Sequence, residues 1–187
     1  MNRILGILLA AALFAGCSAP AGEVPPAATT SQPSANGVAV AGPASVDIPK
    51  ISSHSTLIPL GLDDRGAMQV PDVHRPEQAG WYSRGVTPGQ LGPAVIVGHV
   101  DGAGRAGVFS RLKELSVGDE INVALVDGRT LKFEVHAVEK VLKSNFPTVK
   151  VYGNVDHPAL RLVTCGGQFD PTRNSYLSNV IVYADMR

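Results

Sequence analysis

A histidine and a cysteine each close a short apolar run in this chain, Pro93-Ala-Val-Ile-Val-Gly-His99 and Leu160-Arg-Leu-Val-Thr-Cys165. If the two runs are neighbouring strands, an imidazole and a thiol stand side by side at adjacent strand ends. A thiolate attacks an acyl carbon, and an imidazole moves protons to the leaving group and from the entering one. Together they are the minimum equipment for acyl transfer through a thioester.

The chain has two cysteines, Cys17 and Cys165, and the first lies in a segment with its own logic. Met1-Asn-Arg3 is a basic start, Ile4 to Phe14 is apolar apart from Gly6, and Ala15-Gly-Cys-Ser18 is a small-residue end. This pattern predicts a secretory signal over 1–17. The apolar run falls short of the ~20 residues that comfortably span a bilayer, so removal or lipid attachment is expected in preference to a permanent span. Phe14-Ala-Gly-Cys17 resembles a bacterial lipobox, with Phe14 where an aliphatic residue is usual, and lipidation is expected at Cys17. Plain secretion and an uncleaved anchor are the other routes, and all three lead outside the cytoplasm.

Residues 18–45 are dominated by Ala, Pro, Ser, Thr and Gly, with Glu23 the single charge. Such a segment buries too little surface to offset its ordering entropy, and a disordered tether is expected. Residues 46–187 then form one domain of ordinary size. Lys plus Arg equals Asp plus Glu at 16 each, with no basic block or aromatic-interleaved stripe, which argues against nucleic acid as a partner. With the signal segment set aside, Cys165 has no internal disulfide partner. It is either an inert buried thiol or a reactive one.

The elements that must carry these residues read mostly as strands. Val46–Ile51, Ser55–Leu62, Pro93–Val100, Glu120–Val126, Thr130–Val138, Pro158–Cys165 and Val180–Ala184 have β composition, and Asp127-Gly128 joins two of them as a hairpin. A helical turn is predicted within His74–Tyr82. Val108, Leu112 and Leu115, at i, i+4 and i+7, predict a short amphipathic helix over 108–115. Gly166 to Asn179 is expected to be a long hairpin loop. Many short strands with few helices predict a mainly β fold, a closed or half-closed barrel.

Ala94-Val-Ile-Val-Gly-His99, Val108-Phe-Ser-Arg-Leu-Lys-Glu-Leu115 followed by Val117-Gly-Asp-Glu-Ile121, and Leu162-Val-Thr-Cys-Gly-Gly167 resemble, in order and spacing, successive landmarks of the sortase family. The ending Cys165-Gly-Gly-Gln-Phe-Asp170, with Tyr176 and Asn179-Val-Ile-Val-Tyr183 behind it, is most similar to the class F sortases. The resemblance implies a sortase-type closed β-barrel of about eight strands with a few short helices. It also implies a cysteine transpeptidase that cleaves a Leu-Pro-X-Thr-Gly-like sorting signal between Thr and Gly. The partners implied are surface proteins bearing that signal and an amine of the cell envelope, from a peptidoglycan precursor or a pilin lysine. No metal or organic cofactor is implied.

Carried onto this chain, Cys165 is the nucleophile and His99 the general acid and base. The family's third member is an arginine on or before the last strand, suited to hold substrate backbone or a developing oxyanion. Arg173, the only arginine between Cys165 and the terminal Arg187, is the candidate. Class F relatives often carry an arginine directly after the tyrosine, where this chain has Leu177. Arg161 shares the face of Cys165 in a regular strand but lies ~13 Å along it, and is expected to be structural or substrate-lining. Thr164 reads equally as a core residue or an aid to ordering the site. His54, His74, His136 and His157 lack metal-ligand spacing and are expected to be structural or on the surface.

Two other functions use the same residues differently. A hydrolytic cysteine peptidase resolves the thioester with water, and a noncatalytic β-barrel binds envelope peptides without needing Cys165. An L,D-transpeptidase uses a Ser-X-Gly-Cys-type motif, which Leu-Val-Thr-Cys-Gly-Gly does not resemble.

Overall fold

The structure, a computed structural model, describes residues 41–187. The expected signal and most of the expected tether, Cys17 included, lie outside the described residues. The strands are β1 (Pro43–Ile48), β2 (Ser53–Leu60), β3 (Ala79–Tyr82), β4 (Gly92–Gly98), β5 (Asp101–Gly102), β6 (Arg105–Ala106), β7 (Glu120–Leu125), β8 (Thr130–Leu142), β9 (Pro158–Asp170) and β10 (Ser175–Met186). One short helix, α1 (Thr148–Tyr152), joins them among the described residues. Eight strands close a barrel in the order β1-β2-β3-β4-β9-β10-β8-β7, and β5 pairs with β6 in a separate small hairpin. The mainly β barrel is as the sequence predicts.

Two layers of apolar contact explain why β4 is an unbroken apolar run. Ala94 and Ile96 point into the barrel with Leu160, Leu162, Phe133 and Val182. Val95 and Val97 point outward and pack with Val163, Ile181 and Val151 of α1. A strand covered on both faces needs apolar residues at every position. β7 shows the contrasting half-covered pattern, with Ile121, Val123 and Leu125 buried and the residues between them partly exposed.

Three local expectations are corrected. Residues 108–115 form only a single 3-10 turn at Leu112–Glu114. Phe109, Leu112 and Leu115 are all buried in the barrel core, while the backbone of Val108 donates to Pro76 and that of Phe109 to His99. Those outside partners replace the hydrogen bonds a longer helix would need. Trp81 and Tyr82 belong to β3 and not to a helical turn, because Trp81 pairs with Pro59 of β2 and Ile96 of β4. The loop expected over 166–179 shrinks to residues 171–174, since the ladder between β9 and β10 runs on to Ser175 opposite Asp170. There the Asp170 carboxylate accepts hydrogen bonds from the backbone and hydroxyl of Thr172, and Asn174 adopts φ +47°, closing a tight turn.

Candidate active site

Sheet register brings the two reactive residues together. β4 and β9 are parallel neighbours, and their last pair is Val97 with Val163. His99 and Cys165 each follow that pair by two residues, so the parallel strands deliver both at the same level of one rim. Cys165 is half-buried, and its partner across β10 is Asn179. Both reactive residues line one cleft of ≈ 870 Å³, together with Asp101, Arg105, Phe169 and Tyr176.

The imidazole is held through one ring nitrogen, and its backbone is held separately. Its Nε2 lies 2.7 Å from the Pro71 carbonyl oxygen, which can only accept, so Nε2 carries the proton. Nδ1 is therefore the basic nitrogen of the neutral ring and the second donor of the imidazolium. Behind it, the backbone of Phe109 donates to the His99 carbonyl at 3.0 Å, and that of Gly107 donates to Val100 at 2.9 Å. A Cβ on Gly107 would sit 2.2 Å from the His99 carbonyl oxygen, so only glycine permits this approach.

After Cys165 the chain leaves through Gly166 and Gly167. Gly167 has φ +77°, and a Cβ there would meet the Ser178 hydroxyl at 2.8 Å. The strand thus stays narrow beside the thiol. Tyr176, on β10, packs edge-to-face on Phe169 with ring centroids 5.2 Å apart, and its hydroxyl donates to the Asp101 carboxylate. That hydrogen bond pushes the Tyr176 phenol up to about 12. The phenol therefore stays protonated, and it ties the segment after His99 to the hairpin that carries Cys165.

Arg173 is not brought to this pair. It sits in the exposed 171–174 turn, its guanidinium 3.6 Å from the Asp170 carboxylate. The concavity it lines, with Leu142, Lys143, Ser144 and Leu177, includes neither His99 nor Cys165 and meets the cleft at Ser175 and Tyr176. The arginine on the Cys165–His99 cleft is Arg105 of the β5–β6 hairpin, which donates to the His74 carbonyl and pairs with Glu77. Neither Arg105 nor Asp101 stood out in the sequence. The only trace was nearness to His99 along the chain.

Arg161 does not line the cleft. It is 4% exposed, lies over the Tyr183 ring with 5.0 Å to the centroid, and donates to the Leu160 carbonyl. Burial lowers its pKa, the direction expected when a cation is desolvated. Thr164 is buried on the inward face, and its hydroxyl has no hydrogen-bond partner. The other histidines are engaged away from the cleft, His54 with Asp47, and His136 and His157 with Asp185, while His74 is exposed.

The sortase-domain family profile matches residues 46–187. The chain belongs to the sortase family. Solved sortases of several classes share its fold. Sortase A from Corynebacterium diphtheriae is 27% identical, with a TM-score of 0.57 over 76% of this chain, and the match spans 59% of that protein's chain. Sortase C-1 from Actinomyces oris is 23% identical with a TM-score of 0.59, covering 76% of this sortase and 72% of its relative. A Clostridium perfringens sortase D5 transpeptidase is 24% identical with a TM-score of 0.57, covering 78% and 79%. No curated protein matches this sortase by sequence. Sortases are cell-envelope cysteine transpeptidases, which is the chemistry that a thiol and an imidazole on one rim can carry out. No helix among the described residues is long and apolar enough to cross a membrane.

Proposed function

We propose that this sortase, of the class F type, cleaves a Leu-Pro-X-Thr-Gly-like sorting signal between Thr and Gly and joins the threonyl end to an envelope amine. The observation that carries the reading is the shared register of His99 and Cys165 on one cleft. The Cys165 thiolate attacks the Thr carbonyl carbon. The His99 imidazolium protonates the Gly nitrogen as the C–N bond breaks, leaving a thioester and a neutral ring. An incoming amine then attacks the thioester, gives a proton to the ring, and releases the thiolate. One residue serves both half-reactions because the imidazole returns to its starting charge.

Arg173 is proposed as the group that holds substrate backbone or the oxyanion. That role requires the 171–174 turn to carry its guanidinium from Asp170 into the cleft. The organisation proposed around the domain is a signal over 1–17 with Cys17 as the lipidated residue, a tether that ends before Pro43 and not at residue 45 as expected, because Pro43 and Ser45 already pair in the barrel, and the catalytic domain from there to residue 187. It places the enzyme on the outer face of the membrane, with sorting-signal proteins as donors and a peptidoglycan precursor or pilin lysine as acceptor.

The test is to incubate the purified chain with a library of sorting-signal peptides, with and without amines, and follow masses. A thioester adduct on Cys165 and a new amide that appears only with added amine are expected. If wild type and Cys165→Ala give identical products on every peptide, the transpeptidase reading is wrong and a binding barrel takes its place. Acid product alone, at every amine concentration, would identify a hydrolytic peptidase.

A further inference from the structure

A second cavity, of ≈ 590 Å³, meets the first at Cys165. Val100, Cys165 and Tyr176 border both, so the second cavity reaches the nucleophile and the residue beside His99 without containing His99 itself. Its floor is apolar, made by Phe109, Val138 and Val180. Three of its residues form one cross-strand row, since Thr164 of β9 pairs with Val180 of β10, and Val180 pairs with Lys140 of β8. Directly paired residues of antiparallel strands project from the same face, here the inward one at the barrel mouth. Thr164, 4% exposed, thus stands in the wall of this cavity with a hydroxyl that has no partner, and Lys140, at the exposed end of the row, lines it too.

Charge adds chemical direction. Lys113 and Lys140 both line this cavity, and neither has an acidic partner among the described residues. The one carboxylate on the wall, Glu139, is already paired with Lys150. A buried hydroxyl left unpaired costs free energy that a polar ligand recovers, and two free ammonium groups at the mouth attract an anion.

We infer that this second cavity binds the acyl acceptor, and that the acceptor is an amine that also carries a carboxylate. The inference rests on the proposed Cys165 thioester. Lys113 and Lys140 hold the carboxylate, and the Thr164 hydroxyl accepts a hydrogen bond from the amine. The chain of the acceptor then lies on Phe109 and Val180 with its nitrogen aimed past Val100 at the thioester. Donor and acceptor approach from opposite sides of Tyr176. The amine nitrogen bonds to the acyl carbon, the C–S bond breaks, and the nitrogen's proton passes to His99.

The experiment uses the full chain, a sorting-signal peptide that acylates it, and glycine, diglycine and triglycine as acceptors, each as free acid and as C-terminal amide. The readout is the ratio of amide product to hydrolysed acid, which is set after the thioester has formed. Free acids should outcompete amides by about fivefold at low salt, the size expected for partly exposed charge pairs, and the preference should shrink as salt is added. The variant carrying Lys113→Ala and Lys140→Ala should lose the preference, whereas Lys132→Ala, whose ammonium pairs with Glu120 and does not line this cavity, should keep it. Thr164→Val, nearly equal in volume, should lower the ratio for acids and amides alike. If the acyl-enzyme forms but acids and amides partition equally in wild type, the acceptor site is wrong while the transpeptidase reading stands. If no acyl-enzyme forms with any peptide, both fall.

Discussion

The cleft and the turn beside it are built on different principles. In the cleft, His99 and Cys165 extend from β4 and β9, strands buried on both faces whose register is set by Ile96, Leu162, Val97 and Val163. A one-residue slip there would turn every one of these side chains to the wrong layer, so the positions of imidazole and thiol are strongly specified. Beside the cleft, Arg173 hangs from a four-residue exposed turn, its guanidinium held by the carboxylate of Asp170 at the end of β9. An exposed pair of this kind contributes little. The nucleophile and its acid are thus preorganised by the core, while the candidate arginine has its position set by local contacts alone.

Substitutions can break this contrast or sharpen it. The largest effect is expected for His99→Ala, which removes the proton donor of the first half-reaction, lowering the rate of thioester formation by about 10²–10⁴-fold in stopped-flow mass measurements. A loss under tenfold would mean that another group donates the proton. Next, Arg173→Ala should lower acylation by about 10²-fold if the turn delivers its guanidinium to the oxyanion. Unchanged acylation would move that role to a group already on the cleft, with Arg105→Ala the variant to measure next.

Tyr176→Phe tests the tie across the cleft. It removes the hydrogen bond to Asp101 but keeps the ring on Phe169. A drop in kcat of about three- to tenfold is expected, the usual scale of one hydrogen bond, with the melting temperature nearly unchanged. A large fall in melting temperature would instead make the tie a stabilising contact.

The smallest effect lies far from the cleft. Asp156 and Asp185 both bond His157 and raise its pKa above the ordinary histidine value. A raised folded-state pKa contributes stability that is fully present below the unfolded value of about 6.5, and that is lost as pH rises through the folded value. His157→Gln should therefore lower the melting temperature at about pH 5 and change it little at about pH 9. An equal shift at both pH values would show that packing, not charge, is what the ring supplies.

Legibility in the sequence followed the same divide. The β4 and β9 runs were readable because a strand covered on both faces must be apolar throughout, and the ordered motifs around His99 and Cys165 resembled one family. Residues 108–115 misled because the spacing of Val108, Leu112 and Leu115 matches a helix, yet Phe109, Leu112 and Leu115 are spent on sealing the barrel. The 166–179 segment misled in the opposite sense. Its Gly, Asp, Pro and Asn residues advertise a loop, but the ladder with β10 overrides them as far as Asp170.

The sequence alone determined the chemistry available, one thiol and one imidazole each behind an apolar run, and a mainly β fold, closed or half-closed, that presents them. It could do so because residue type and period are local properties. Only the tertiary structure decided which groups share the cleft. Asp101, Arg105 and Tyr176 reach it through pairings 75 residues apart or across a small hairpin, while Arg173 is kept outside by a turn. Such distances depend on the register of the closed barrel, which arises from all eight strands packing at once.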